Sequence, residues 1–113
     1  MKTEQANIPT PVTFYIGRTQ HENHAIIDLG GPNDIWFHVA DLPSCHVVAI
    51  LPEDCDRKQR SRIIRHGANL CKQYTNTVKS AVRVPITYTA IRHVTKDSVP
   101  GRVQLSESNI IVI

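Results

Sequence analysis

The sequence predicts an α+β fold in which a mainly antiparallel β-sheet packs against one long amphipathic helix. Three observations favour it: β-rich segments lie on both sides of one helical pattern, two of them flank a hairpin-length linker, and strict βαβ alternation is lacking. The 113 residues suffice for a single modest core. We expect one domain over residues 12–113. A flexible N-terminal arm over residues 1–11 is expected before it, because that segment is polar and ends in two prolines.

Several short segments are typical of strands because β-branched and aromatic residues dominate them and turn residues bound them. Segments 34–39 and 44–51 form the clearest pair, joined by the linker 40–43. Pro85 indicates a bend or an edge position near the start of the long segment 81–95, because proline cannot donate to a sheet. The other predicted strands are 12–16, 102–105 and 110–113, and residues 19–32 predict a short helical turn followed by a loop.

One helix is predicted from about residue 57 to residue 74, where apolar residues recur at three-and-four spacing. Asp54 or Asp56 is expected to cap its start, since a short carboxylate accepts from free backbone N–H groups there. Gly67 costs about 1 kcal/mol relative to alanine inside a helix, so its presence suggests that the helix approaches the sheet closely. The face expected to pack on the sheet comprises Ile63, Ile64, Gly67, Ala68, Cys71 and Tyr74.

Positive charge is concentrated in the second half of the chain and on one side of this helix. Residues 1–56 hold two bases and eight acids, a net −6, whereas residues 57–113 hold eleven bases and two acids, a net +9. A run of bases is usually a solvated surface, but residues 57–72 contain six bases and no acid to offset their repulsion. Phosphates would neutralise that repulsion, so nucleic-acid contact is predicted. The predicted phosphate ligands are Arg57, Lys58, Arg62, Arg65 and Lys72.

A second group of polar and aromatic residues falls in the predicted hairpin. Strand alternation places Asp34, Trp36 and His38 on one face, and a register with His38 opposite His46 adds Ser44 and His46 to it. Three interpretations remain open. The group is a metal site, a recognition surface in which Trp36 stacks on bases and the imidazoles donate hydrogen bonds, or a structural cluster with Trp36 in the core.

The sequence lacks the glycine-rich and nucleophile motifs of common enzymes, so we expect no catalytic activity and no cofactor. Its three cysteines form no CxxC pair and indicate reduced thiols in a cytoplasmic protein. No apolar stretch approaches the roughly 18 residues of a membrane span. The N-terminus also lacks the apolar region of a secretory signal, so neither membrane association nor secretion is expected.

The chain resembles the NFACT-R family, also called DUF814, in a stand-alone form. The D-[IL]-W-F-H and S-x-H-V core is the most specific part of that resemblance. No NFACT-N segment, helix-hairpin-helix or coiled-coil arm is visible beside it. The stretches that carry the resemblance are 14–18 (FYIGR), 22–23 (EN), 33–39 (NDIWFHV), 44–48 (SCHVV), 67–75 (GANLCKQYT), 84–95 (VPITYTAIRHVT) and 100–103 (PGRV).

The resemblance implies RNA binding. In that family the domain is the C-terminal module of ribosome quality-control proteins, which hold tRNA on the large ribosomal subunit after a stalled ribosome splits. We therefore expect a tRNA or ribosomal RNA partner. Two alternatives stay open: a metal-dependent hydrolase using His38, His46 and Asp34, and a protein-interaction module. Beyond the helix, the predicted nucleic-acid site comprises Arg18, Asn23, Asp34, Trp36, His38, Ser44 and His46.

Overall fold

Eight strands and two helices make up the structure, a computed structural model that describes residues 1–113. Six strands form one sheet in the order β1-β2-β4-β3-β5-β8, β6 and β7 form a separate hairpin, and every pairing is antiparallel. The predicted α+β class is confirmed, with a short second helix, α1, where a helical turn was predicted. The elements are β1 (Lys2–Asn7), β2 (Pro11–Gly17), α1 (Gln20–Ile27), β3 (Ile35–Val39), β4 (His46–Ala49), α2 (Arg57–Gln73), β5 (Pro85–Ala90), β6 (Val94–Lys96), β7 (Val103–Leu105) and β8 (Asn109–Val112).

The hairpin of β3 and β4 lies at the centre of the sheet and has the predicted register. His38 pairs with His46 and Trp36 pairs with Val48. The alternation of side chains follows from this register. Phe37 points to one face of the sheet together with Val47, while Trp36 and His38 point to the other.

The N-terminal segment differs from the flexible arm predicted for residues 1–11. Lys2–Asn7 forms β1, which pairs along its whole length with β2 and is an edge of the sheet. Its sequence is polar because one side of an edge strand faces solvent, and that polarity hid the strand from periodicity. The Tyr74 hydroxyl donates to the Glu4 carboxylate and ties β1 to the end of α2.

Helix α2 begins and packs as predicted. Asp56 is the N-cap and accepts from the Gln59 backbone N–H at 2.7 Å. The Gln59 side chain does not close a capping box; it donates to the Ile8 carbonyl at 2.7 Å and so joins α2 to the β1–β2 turn. Gly67 lies against Phe37 so closely that a Cβ atom would sit 2.4 Å from the end of that ring. The close helix–sheet approach inferred from Gly67 is therefore confirmed.

The sheet has a core on each face. The larger core, between the sheet and α2, contains Phe14, Phe37, Val47 and Ile63 among its fully buried side chains. The smaller core on the opposite face is built from Ile26, Ile27, Trp36 and Val48, and residues of the β6–β7 hairpin pack against it. Helix α1 and this hairpin thus cover the face to which Trp36 points. Neither helix is long and apolar enough to cross a lipid bilayer.

Candidate nucleic-acid interface

Four bases line the side of α2 that faces away from the sheet, and we call them the α2 stripe. Lys58, Arg62 and Arg65 are exposed and Lys72 is half-buried. No ion pair involves any of the four, since the salt bridges of the protein are Met1–Glu22, His93–Glu107 and Lys96–Asp28. None of the four therefore has a carboxylate within ion-pair distance.

The surroundings of the α2 stripe change along the helix. Lys58 and Arg62 border a depression together with three acids, which are Glu53, Asp54 and Asp56. Arg62 and Arg65 share a second depression that holds no acid, and its other polar groups come from Asn7, His66 and Asn69. Arg65, which borders only the acid-free depression, is therefore better suited to a phosphate than Lys58 at the N-terminal end.

Two basic residues of the predicted nucleic-acid site lie away from the α2 stripe. Arg57 is exposed, but at 3.6 residues per turn it is rotated by about 100° from Lys58. Arg18 follows the end of β2, where its backbone N–H donates to the Glu22 carboxylate at 3.0 Å. The structure groups neither side chain with the stripe, so their contact with RNA stays a prediction.

The structure brings Trp36, His38 and His46 together on the opposite face of the sheet, as predicted. The indole Nε1–H of Trp36 donates to His46 Nδ1 at 3.2 Å. The rings of Trp36 and His38 are nearly parallel, at 11° with centroids 5.7 Å apart. The His46 ring meets both edge-on, with its centroid 5.1 Å from Trp36 and 4.9 Å from His38.

Burial decides the role of Trp36 and the charge of the two imidazoles. Trp36 is only 2% exposed, so it belongs to the smaller core and is not an open stacking platform. Burial also lowers the pKa of His46 to about 3, helped by the nearby positive charges of His38 and His24 when protonated. The pKa of His38 is lowered for the same main reason, its burial. Both imidazoles are therefore neutral near pH 7.

The side chains of three other residues of the predicted site accept hydrogen bonds from backbone N–H groups. The Asp34 carboxylate accepts from Gly31 N–H at 2.7 Å and from Leu51 N–H at 2.8 Å. Ser44 Oγ accepts from Val39 N–H at 3.0 Å, and Asn23 Oδ1 accepts from His46 N–H at 3.2 Å. These contacts fix the turns around the hairpin, and the structural interpretation accounts for all three residues.

Metal binding requires Asp34 to reach His38 and His46, and the structure does not bring them together. Asp34 precedes His38 by four residues, about 13 Å along an extended chain, and both its oxygens are committed to backbone N–H groups. No group of three or more His, Cys, Asp or Glu side chains is arranged to hold a metal ion.

A cavity of about 290 Å³ opens beside the two histidines. Most of the other residues that line it come from segments distant in sequence, so the sequence did not single them out. Four belong to the stretch 101–105 that leads into β7, and Thr87 belongs to β5, whereas Ala40 and Asp41 directly follow β3. The sequence Val99-Pro100-Gly101 does predict a turn at this position. Gly101 has a φ of +84° there, which glycine adopts readily. The lining residues are Trp36, His38, Ala40, Asp41, His46, Thr87, Gly101, Arg102, Val103 and Leu105.

The chain is similar to known proteins in both sequence and fold. A family model described as "NFACT protein RNA binding domain" matches residues 3–107. The chain belongs to this family. The match takes in β1 to β7, and with them the α2 stripe and the histidine cavity. Both surfaces of this NFACT RNA-binding domain therefore lie within the residues that the family model matches.

Curated relatives of this NFACT RNA-binding domain are longer than the chain. It is 28% identical over 105 residues to "Rqc2 homolog RqcH" of Bacillus subtilis, covering 90% of this chain and 17% of that protein. It is 44% identical over 48 residues to "Coiled-coil domain-containing protein 25" of Danio rerio, covering 42% of this chain and 23% of that protein. The aligned parts of this chain span less than a quarter of either relative.

A solved structure shows the same fold. The C-terminal part of the fibronectin/fibrinogen-binding protein from Streptococcus suis superposes with a TM-score of 0.82 at 18% identity. The similarity covers 100% of this chain and 46% of that chain. At this identity the comparison establishes the architecture of the NFACT RNA-binding domain and nothing about its ligands.

Proposed function

We propose that this chain is a non-catalytic RNA-binding domain that holds phosphates on the α2 stripe. The observation that carries the proposal is the absence of any ion pair at Lys58, Arg62, Arg65 and Lys72, in a chain that belongs to an RNA-binding family. Phosphate contacts supply affinity and register without sequence choice. The ligand class is therefore structured RNA, not one particular sequence.

The proposed setting is ribosome quality control in the cytoplasm, with tRNA or ribosomal RNA of the large subunit as the partner. Support comes from the family match and from similarity along most of the chain to a protein named as an Rqc2 homolog. Both kinds of RNA present closely spaced phosphates, and the stripe presents its bases at helical spacing along one line.

Salt dependence tests the phosphate contacts directly. If the four stripe bases each neutralise a phosphate of a single-stranded segment, log K should fall against log salt with a slope of about −3. A filter-binding titration over about 50–200 mM salt measures that slope. An absence of RNA binding at the low-salt end would reject the proposal.

Charge reversal at the middle of the stripe locates the contact. Arg65→Glu is expected to weaken RNA binding more than Arg60→Glu, a change of equal charge on another side of the same helix. The double variant Arg62→Glu with Arg65→Glu should have a shallower salt slope, of about −1.4, because only two stripe bases remain. Equal losses from Arg65→Glu and Arg60→Glu, with circular dichroism unchanged, would show that net charge and not the stripe determines binding.

A further inference from the structure

The cavity beside His38 continues a stack of side chains along β3. Trp36, His38 and Ala40 point to the same face because they are separated by two residues. Ala40 extends the strand geometry, since its N–H donates to the Pro85 carbonyl at 3.0 Å. Trp36 covers one side of the His38 ring, and the next position along the stack holds only the methyl group of Ala40. The half-buried His38 ring thus lies parallel to Trp36 and also lines the cavity.

A buried hydrogen-bond donor faces this cavity. His46 is 2% exposed, and its Nδ1 accepts from Trp36. Because the ring is neutral near pH 7, its proton lies on Nε2, which then acts as a donor. Nε2 has no hydrogen-bond partner within the protein. Every side-chain nitrogen or oxygen that is fully shielded from solvent does have such a partner. Nε2 therefore reaches the surface, and the cavity is the surface that His46 lines.

The rim of the cavity combines apolar walls with free polar groups. Val103 and Leu105 of β7 supply apolar surface, and Thr87 of β5 supplies a hydroxyl. Arg102 also lines the cavity, and its guanidinium forms no ion pair within the protein. The Asp41 carboxylate lines the same cavity. A ligand that suits this lining has a flat unsaturated ring, an acceptor for His46, a donor for Asp41 and a negative charge directed towards Arg102.

We infer that the cavity binds one unstacked nucleobase, which stacks on His38 and accepts a hydrogen bond from His46 Nε2–H. The inference rests on the proposed function and adds a second contact with RNA. A volume of about 290 Å³ is at the lower limit of small-ligand pockets, which suits one ring system. Arg102 then lies where the phosphate of the same nucleotide leaves the cavity. Unpaired bases in RNA loops are commonly held by stacking on aromatic side chains and by hydrogen bonds to their edges.

A peptide fits this cavity less well than a base. An extended peptide binds a sheet by pairing with a free strand edge. The strand beneath the cavity, β3, is hydrogen-bonded to β4 on one side and to β5 on the other. The strand at the base of the cavity therefore offers side chains to a ligand but no free edge for strand addition.

The test compares ligands that do or do not carry bases. A short single-stranded RNA and an abasic oligonucleotide of equal length are titrated into the full chain, with the Trp36 indole N–H followed by NMR. RNA is expected to shift this signal, because Trp36 donates to the histidine that meets the base. The abasic ligand is expected to bind through its phosphates and leave the signal unshifted.

Two variants probe the cavity itself. Thr87→Tyr fills it from β5, where an aromatic residue is compatible with a strand, and His46→Phe removes the donor. Thr95→Tyr is the matched control, since Thr95 is exposed on β6 and does not line the cavity. Thr87→Tyr is expected to weaken binding of single-stranded RNA by at least about fivefold, the lower limit for one stacked base. Thr95→Tyr should change it little, and binding of the abasic ligand should be equal in all three folded proteins.

The outcomes separate this inference from the proposed function. Salt-dependent binding of RNA and abasic ligand with equal affinity, unaffected by Thr87→Tyr, would overturn the base site and leave the α2 stripe intact. Failure of both ligands to bind would overturn both. A Trp36 shift produced by peptides and not by RNA would also overturn the inference. If His46→Phe does not fold, Thr87→Tyr and the NMR titration still decide.

Discussion

Mild acid is expected to destabilise this domain through His46. Its pKa is about 3 in the folded protein, because of its burial and the nearby positive charges of His38 and His24, against an ordinary value of 6.5. As the pH falls below 6.5 the unfolded chain binds a proton that the folded chain refuses, so the unfolded state gains stability. The stability contributed by neutral His46 is thus complete above pH 6.5 and is lost progressively towards pH 3.

The size of the effect follows from the distance between the two pKa values. Each pH unit between them changes the free energy of unfolding by about 1.4 kcal/mol, so lowering the pH from about 7.5 to about 5 should cost about 2 kcal/mol. His38, whose pKa is also lowered by burial, adds to the loss. Glu22 and Asp97 do not contribute in this window, because their ordinary pKa values are 4.5 and 3.8 and their folded values are lower still.

Urea unfolding followed by fluorescence measures this loss, because Trp36 is the single tryptophan and is buried against His46. His46→Gln is the control: its amide oxygen can still accept from the indole N–H, but it does not titrate. The wild-type free energy of unfolding should fall by about 2 kcal/mol more than that of the variant. The same pH dependence in both proteins would refute the assignment to His46.

Two further changes test the packing around the interface. Gly67→Ala should destabilise by about 1–3 kcal/mol despite the better helix propensity of alanine, because its Cβ would lie 2.4 Å from the buried Phe37 ring. Ser61→Ala on the exposed side of α2 is the control, and equal urea midpoints would contradict the close contact. Asp34→Ala should cost about 2 kcal/mol by removing two bonds to backbone N–H groups, with RNA affinity of the folded protein unchanged in filter binding. Weaker RNA binding by that folded variant would instead make Asp34 a ligand contact.

Periodicity predicted the elements whose two faces differ in polarity. The sequence predicts the hairpin register because side chains alternate strictly and the 40–43 linker is short, and His38 does pair with His46. The inner face of α2 was accessible because its apolar residues recur with the helical period, and Gly67 marked the point of closest approach.

Contacts between distant segments were not accessible in this way. The strand β1 is polar on both sides, so only its partner β2 reveals it. Asp34, Ser44 and Asn23 have the composition of a binding site, yet their side chains accept from backbone N–H groups nearby. Polarity alone does not distinguish a side chain that meets a ligand from one that holds a turn.

The α2 stripe and the histidine cavity lie on opposite faces of one sheet, so the two proposed contacts with RNA would make the domain bivalent. The shortest dimension of the molecule is 25 Å, so one RNA occupies both surfaces only by turning around an edge of the sheet. A short linear strand engages one surface at a time. A folded RNA whose phosphate ridge and unpaired loop are spaced to match would gain from effective concentration as well as from each contact. Selectivity for the shape of an RNA can thus arise without reading its sequence.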